Sequence, residues 1–395
     1  MISFDEAAAI ACAAARPLGP ERVPLRAAAG RVLAAVVTAR RDSPPFAVSA
    51  MDGYAVRDAD VAAAPCVLRV AGESFPGGGY PKPLDVGECV RIFTGAPAPE
   101  GTERIVIQEV VARQGDRIRI DTAPGGQRFL RARASDFRSG EVLLPAGRRL
   151  SPGAMVAAAA ADVGEVEAFR RPRLAVLSTG DELAEPGMAG ATPGAIPESV
   201  SFGVAALAEA WGGEIVQSAR LKDDLTVLQV AAAEALEAAD IVVVAGGASV
   251  GDRDFAKAMF EPFAPDLLFS RAAIKPGKPV WLARVRERLV LGLPGNPTSA
   301  LVTARLFLAP LLAGLGGLAP EVALAWRSVR SAAPLPAAGD RETFLRGRWR
   351  DGAVEPLANQ DSSAQKALAE AEALIRRRTG ARGVPAGSVV EVLDL

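Results

Sequence analysis

Short apolar runs that end in glycine, separated by stretches of helical period, dominate the middle of this chain. Arg173-Leu-Ala-Val-Leu-Ser-Thr-Gly180 and Asp240-Ile-Val-Val-Val-Ala-Gly-Gly247 carry aliphatic residues at consecutive positions, the pattern of a strand buried on both faces. The spacing predicts strands near 173–178, 214–219, 240–245 and 288–293, and helices near 200–211, 224–238 and 297–314. Alternation of this kind makes a doubly wound parallel sheet, whose ligand crevice lies at the carboxyl ends of the strands. Glycines at those ends let backbone N–H groups approach an anion at a helix N-terminus.

The flanks follow other periods. Residues 3–15 read as an amphipathic helix with Asp5 and Glu6 in its first turn, where carboxylates suit the helix dipole. Two prolines keep Arg40-Arg-Asp-Ser-Pro-Pro-Phe46 out of helix. From about 65 to 140, short alternating runs between Pro/Gly clusters predict a mainly β region. The tail from about 320 returns to alternation in Phe344–Arg350 and Val389–Leu393, with a helical insert expected near Ser363–Ile375; a small β barrel or sandwich should close the chain.

Composition removes several chemistries. The 395 residues include no histidine, which excludes the commonest general base and the Ser-His-Asp mechanism. Cys12, Cys66 and Cys89 fall in no CxxC pair, and they fit a reducing cytoplasm better than a zinc site or a disulfide framework. A formal net charge of −1 and a basic group, Arg128, Arg131, Arg133 and Arg138, that is poor in aromatic neighbours argue against a nucleic-acid surface. The amino-terminal residues lack the pattern of a signal peptide, and the Ala-rich runs are too short to span a bilayer, so no membrane association is expected.

Gly247-Ala-Ser-Val-Gly251 matches the G-x-S-x-G elbow of serine hydrolases, but without a histidine the better reading is an anion-binding turn at Gly246, Gly247 and Ser249. No P-loop or dinucleotide fingerprint occurs. What remains is a set of loop carboxylates: Asp52, Glu182, Asp223, Asp224, Asp252 and Asp254. Such groups beside an anion cradle suit Mg²⁺, which takes one or two carboxylates with phosphate oxygens. Each also has a bland reading, since Asp52-Gly53 is a turn pair and Asp223-Asp224 stands where a helix wants a cap. Lys275 and Lys278 flank a Pro-Gly turn, with Arg271 just upstream. They are either surface charge or an oxyanion contact.

Six motifs occur in order: Ser49-Ala-Met-Asp-Gly-Tyr-Ala55, Phe93-Thr-Gly-Ala-Pro97, Ser178-Thr-Gly-Asp-Glu-Leu183, the glycine loop to Asp254, Lys275-Pro-Gly-Lys-Pro279 and Leu293-Pro-Gly-Asn-Pro297. Together they resemble the molybdopterin molybdenumtransferase family, which includes the E domain of gephyrin and its plant counterpart. The resemblance implies a four-part α/β protein: a discontinuous helical domain (1–44 with 141–170), a β-rich domain (45–140), a molybdopterin-binding α/β domain (171–317) and a C-terminal β domain (318–395). It implies a Mg²⁺-dependent reaction of adenylylated molybdopterin with molybdate that releases AMP, in a homodimer whose cleft combines the α/β domain of one copy with the β-rich domain of the other. An adenylyltransferase that supplies the substrate and recipient apo-molybdoenzymes are the other implied partners.

Carried onto this sequence, the resemblance marks Asp52, Asp136, Glu182, Asp223 and Asp254 as catalytic, with Glu182 and Asp254 toward the metal. It marks Thr94, Gly246, Gly247, Ser249, Arg271, Lys275, Lys278 and Arg346 as substrate contacts. Three stretches depart from the family pattern. Arg-Arg-x-Gly-Glu-Asp reads Arg131-Ala-Arg-Ala-Ser-Asp136, Asp-Ser/Thr-Asn reads Glu198-Ser-Val200, and the C-terminal Gly-Ser-Gly stretch reads Asp361-Ser-Ser-Ala-Gln-Lys366. A non-catalytic pterin-binding scaffold and the adenylyltransferase itself are the competing readings.

Overall fold

The computed structural model of the chain describes residues 1–247 and 255–395. Helix α1 (Phe4–Ala14) begins at Ser3, whose hydroxyl accepts the Glu6 N–H while the Glu6 carboxylate takes the Ser3 N–H, a reciprocal capping box. Its apolar stripe, Phe4, Ala7, Ala8, Ala11 and Ala14, is buried in the core of the central α/β sheet. Residues 20–24 instead pair antiparallel with 165–169, and residues between Val23 and Ala39 share a separate core with Phe137–Ala168.

The β-rich region is a six-stranded sheet of β1 (Gly53–Val56), β2 (Cys66–Ser74), β3 (Glu88–Ile92), β4 (Arg104–Ile107), β5 (Ala112–Gln114) and β6 (Arg117–Ile120). Its order is β4-β1-β3-β2-β6-β5, with β2 and β3 parallel. A helix, α2 (Pro152–Ala160), follows.

The central sheet is built from β7 (Arg173–Thr179), α3 (Val200–Ala210), β8 (Glu214–Leu221), α4 (Leu225–Ala238), β9 (Ile241–Ala245), β10 (Asp266–Phe269), β11 (Trp281–Val285), β12 (Arg288–Leu293) and α5 (Pro297–Leu315). Strand order is β8-β7-β9-β12-β11-β10. Alternation assigns the strand residues to two faces. Leu174, Val176, Ile241 and Val243 meet α1, α3 and α5, while Ala175, Leu177, Val242 and Val244 meet α4. The four expected strands are parallel as anticipated, but β10 and β11 extend the sheet antiparallel. Only Arg286 and Glu287 separate β11 from β12, and a link that short cannot make a parallel crossover.

The last domain pairs β13 (Arg327–Arg330), β14 (Glu342–Arg350), β15 (Ala353–Pro356), β16 (Ala373–Arg377) and β17 (Val389–Asp394) in the order β14-β16-β17-β13. β15 pairs with β14, and its Val354 bridges Ser331 at the end of β13, which closes the sheet into a small barrel. The helix expected near Ser363–Ile375 is confined to Gln365–Ala369, and residues from Ala373 form strand β16. Burial decides the difference: β16 is buried at every position and carries Arg376, which pairs with Glu342 on β14.

Phe4 joins three units. Its ring lies 4.9 Å from Phe344, 5.9 Å from Phe307 and 6.2 Å from Trp326, and the Arg376 guanidinium sits 5.0 Å from it. Phe4→Ala would leave a cavity between α1, α5 and β14. We expect a loss of about 3–5 kcal/mol, read as a lowered denaturant midpoint; an unchanged midpoint would mean that α1 is not part of the cooperative core.

Candidate active site

The carboxyl edge of the central sheet opens into a cleft of about 760 Å³. Ser178, Thr179 and Gly180 at the end of β7, Glu182, Asp223, Gly246 and Gly247 line it, together with Pro294–Pro297 ahead of α5. Gly246 has φ +98°, and a Cβ there would lie 2.5 Å from the Thr179 carbonyl oxygen. Glycine is therefore what lets the loop after β9 close against β7. The Asp223-Asp224 pair divides its work: Asp224 caps α4 by accepting from Thr226 and Val227 N–H, whereas Asp223 lines the cleft and donates its N–H to Asp181.

A second cleft, of about 750 Å³, opens on the other side of Pro279, which lines both. Lys275, Lys278 and Arg346 line it. Lys275 is placed by the two-residue strand Ile274–Lys275, which pairs parallel with Glu342 and Thr343 of β14. At Gly277, with φ +102°, a Cβ would sit 2.1 Å from Thr303 Cγ2 of α5, so the turn between the two lysines can only be glycine. Arg346 is fully buried on β14. Its Nη2 donates to the backbone oxygens of Asn359 and Asp361, but Nε and Nη1 have no partner among the described residues. Burial pushes the guanidinium below its ordinary range, partly offset by Asp361. A buried cation with unspent donors, beside two lysines, has the chemistry to receive an oxyanion.

The N-terminus of α5 stands between the clefts, with Asn296 and Pro297 facing the first and Ser299 the second. Its dipole adds positive potential to both. A hydrogen bond from Asn296 Nδ2 to Ser362 Oγ, 3.3 Å, ties this end to the C-terminal domain.

The remaining expected residues stand elsewhere. Asp52 Oδ1 accepts from both the N–H and the hydroxyl of Thr94, each at 2.7 Å. These bonds, with Arg91 nearby, hold Asp52 below the usual carboxylate range. Asp136 is exposed, with its N–H on the Ser43 carbonyl. Neither Asp52, Thr94 nor Asp136 is among the residues lining the two clefts. Arg271 is also exposed and outside them, and its carbonyl takes the Ile2 N–H. Ser249, Asp252 and Asp254 lie outside the described residues.

Comparison with known proteins completes the picture. The sequence model of the MoeA N-terminal region (domain I and II) matches residues 2–162, that of the probable molybdopterin binding domain residues 175–314, and that of the MoeA C-terminal region (domain IV) residues 328–395. The molybdopterin molybdenumtransferase of Nostoc sp. is 37% identical over 388 residues, covering 95% of this chain and 88% of that protein. The chain belongs to the molybdopterin molybdenumtransferase family. The enzyme of that name from Haemophilus influenzae is also 37% identical, over 302 residues that cover 76% of this chain and 74% of its own. A crystal structure of a molybdopterin biosynthesis MoeA protein from Pyrococcus horikosii superposes with a TM-score of 0.81 at 27% identity, over 100% of this chain and 99% of that one. Membership makes the chain an enzyme of the transferase class.

Two departures from the molybdopterin molybdenumtransferase pattern have physical consequences. Where the family motif has glycine, Ala134 adopts φ +56°, a left-handed conformation that costs an L-residue about 1–2 kcal/mol. Glu198 is buried and accepts from the Ser178 hydroxyl and the Ser201 N–H, joining the end of β7 to the start of α3. Sequence reasoning noted Glu198 only as a departure and missed Asn296 and also Gln360, which lines the second cleft, accepts from the Arg346 N–H and donates to the Arg346 carbonyl. Asn296 falls in a quoted motif, but nothing in the sequence brings it to Ser362, 66 residues away.

Ala134→Gly should raise stability by about 1 kcal/mol, measured as a higher denaturant midpoint; a destabilised variant would show that the Cβ packs usefully. Asp52 should stay ionised well below the usual carboxylate range, so its stabilising contribution is present above the unfolded value and is lost as pH falls through the depressed folded one. Thr94→Val removes the hydroxyl donor, and the Asp52 carboxyl titration followed by NMR should move up. An unmoved titration would assign the depression to other groups.

Proposed function

We propose that this transferase inserts molybdenum from molybdate into adenylylated molybdopterin, with Mg²⁺ present, and that the phosphoanhydride bond breaks with release of AMP. The carrying observation is the buried Arg346, with two donors unpartnered among the described residues, in a cationic cleft adjoining the glycine- and carboxylate-lined one. Lys275, Lys278, Arg341 and Arg346 against Asp340 and Asp361 leave the second cleft with an excess of two positive charges, which suits a tetrahedral dianion. The first cleft offers glycine-loop and helix N-terminal donors for the pterin phosphate. Fixed cations on one side of Pro279 hold molybdate against the repulsion of the phosphates on the other.

The donor set fits Mg²⁺. Among the described residues no group of three or more Asp, Glu or Cys side chains could hold a metal ion, whereas Mg²⁺ uses one or two carboxylates and completes its shell with water and phosphate oxygens. Glu182 would hold it, with Asp254 as the second ligand in this proposal; when bound, the ion draws charge from the phosphoanhydride. Asp52 and Thr94 would enter the first cleft from a second copy of the chain, and we propose a homodimer on that ground. The unpaired Cys12, Cys66 and Cys89 suit the cytoplasm.

The test is a full reaction with adenylylated molybdopterin, molybdate and Mg²⁺, following AMP release and activation of a cofactor-free molybdoenzyme. Molybdate-dependent AMP release with activation is expected, and Glu182→Ala should abolish it. Arg346→Met should raise the molybdate KM at least tenfold, with a smaller change in kcat, since a charge-assisted hydrogen bond is worth roughly 1.5–3 kcal/mol. Tight pterin binding without turnover would instead make the chain a non-catalytic pterin-binding scaffold.

A further inference from the structure

Strands β2 and β3 run parallel with Ser74 opposite Ile92, so the next residues, Phe75 and Phe93, leave the sheet at the same level. Their rings are stacked, 5.9 Å apart with planes 24° from parallel. The pair is held from below: the Ser74 hydroxyl donates to the Pro97 carbonyl at 2.7 Å, and the Phe93 N–H donates to the Ser74 carbonyl at 3.3 Å. Arg91 lies 4.8 Å from the Phe93 ring and 5.2 Å from that of Tyr54, and is itself fixed by the Gly53 carbonyl and the Gln108 side chain. Despite this rigid mounting, Phe75 remains 49% exposed. A fixed aromatic ring with one side open to water is a stacking surface looking for a flat partner.

The neighbours narrow the partner. Thr94 follows Phe93 directly and binds Asp52 Oδ1, and Met51, 39% exposed, precedes Asp52. We propose that the Phe75–Phe93 platform is the subsite for the purine ring of the substrate's adenylyl group, with Oδ2 of Asp52 accepting from a ribose hydroxyl. This rests on the reading of the substrate as adenylylated. It gives the β-rich domain a recognition role: the aromatic pair reads the leaving group, while the α/β domain holds the pterin. Stacking of a base on an aromatic side chain is tolerant of base identity, so the platform selects a nucleotide over a bare sugar phosphate more than one purine over another.

The experiment measures binding of AMP and of ribose 5-phosphate, which lacks the base, to the full-length protein by calorimetry, in the parent and in Phe75→Ala and Phe75→Trp. The parent should bind AMP roughly tenfold more tightly than ribose 5-phosphate. Phe75→Ala should bring that ratio close to one by weakening AMP alone, and Phe75→Trp should keep it. Equal affinities in the parent, or a ratio undiminished in Phe75→Ala, would overturn the platform. If the parent releases no AMP in the full reaction and binds neither ligand, the adenylylated-substrate reading itself falls and the platform with it. AMP release in the parent with an unchanged ratio in Phe75→Ala removes the platform alone.

Discussion

Burial of α5 is the constraint on which the rest of the structure depends. This helix, Pro297–Leu315, is apolar enough to cross a membrane, with mean hydropathy 1.6, yet 94% of its apolar window is buried inside the protein. Such a helix has to be surrounded, and its surroundings are the central sheet, α1, α3 and the start of the barrel. Because it is held on all sides, its N-terminus is fixed between the two clefts. Its Thr303 meets the Gly277 turn that carries Lys275 and Lys278. Its one buried cation, Arg305, donates to the carbonyls of Ala323 and Asp394 and stacks over Trp211. Burial pushes Arg305 down to about 10, with Asp394 opposing. A single packing requirement thus sets the relation of the glycine-lined cleft, the cationic cleft and the last strand.

The two clefts use opposite electrostatic strategies across a short ridge. On one side, glycine backbone and carboxylates provide N–H donors and anionic oxygens; on the other, a guanidinium and two lysines provide positive charge. Arg346 is the more costly element, since a buried cation with unsatisfied N–H groups is unfavourable until an anion arrives. Asp361 lies close enough to moderate it, and is itself held below the usual carboxylate range by the Ser363 hydroxyl and N–H, with Arg346 adding. The departure of this stretch from the Gly-Ser-Gly pattern therefore places an ionised side chain at the wall of the cationic cleft.

The absence of histidine is consistent with this division. What the described residues of the two clefts offer is placed charge and fixed dipoles. The residues of the β-rich domain follow the same rule: Asp52 is kept ionised by Thr94 and Arg91, and Arg91 in turn fixes the aromatic pair beside them.

Local pattern was enough for the strands of the central sheet and for their parallel pairing, because strands buried on both faces need consecutive apolar residues and glycine punctuation. It was enough as well for the family, through six short motifs in order. Spacing by itself treated Asp223 and Asp224 alike, and the family resemblance singled out Asp223; the start of α4 makes Asp224 the cap and leaves Asp223 in the cleft. Local pattern could not distinguish helix from strand at 363–375, where the Arg376–Glu342 pair across β14 and β16 decides the outcome. Arg346 was marked as an anion contact only through the family resemblance, and it is closure of the barrel that buries it on the wall of the cleft that Lys275 and Lys278 also line. Sequence alone determined which elements form and which residue types are available for chemistry; tertiary structure decided which of them meet, because burial, long-range pairing and charge proximity exist only once distant segments pack.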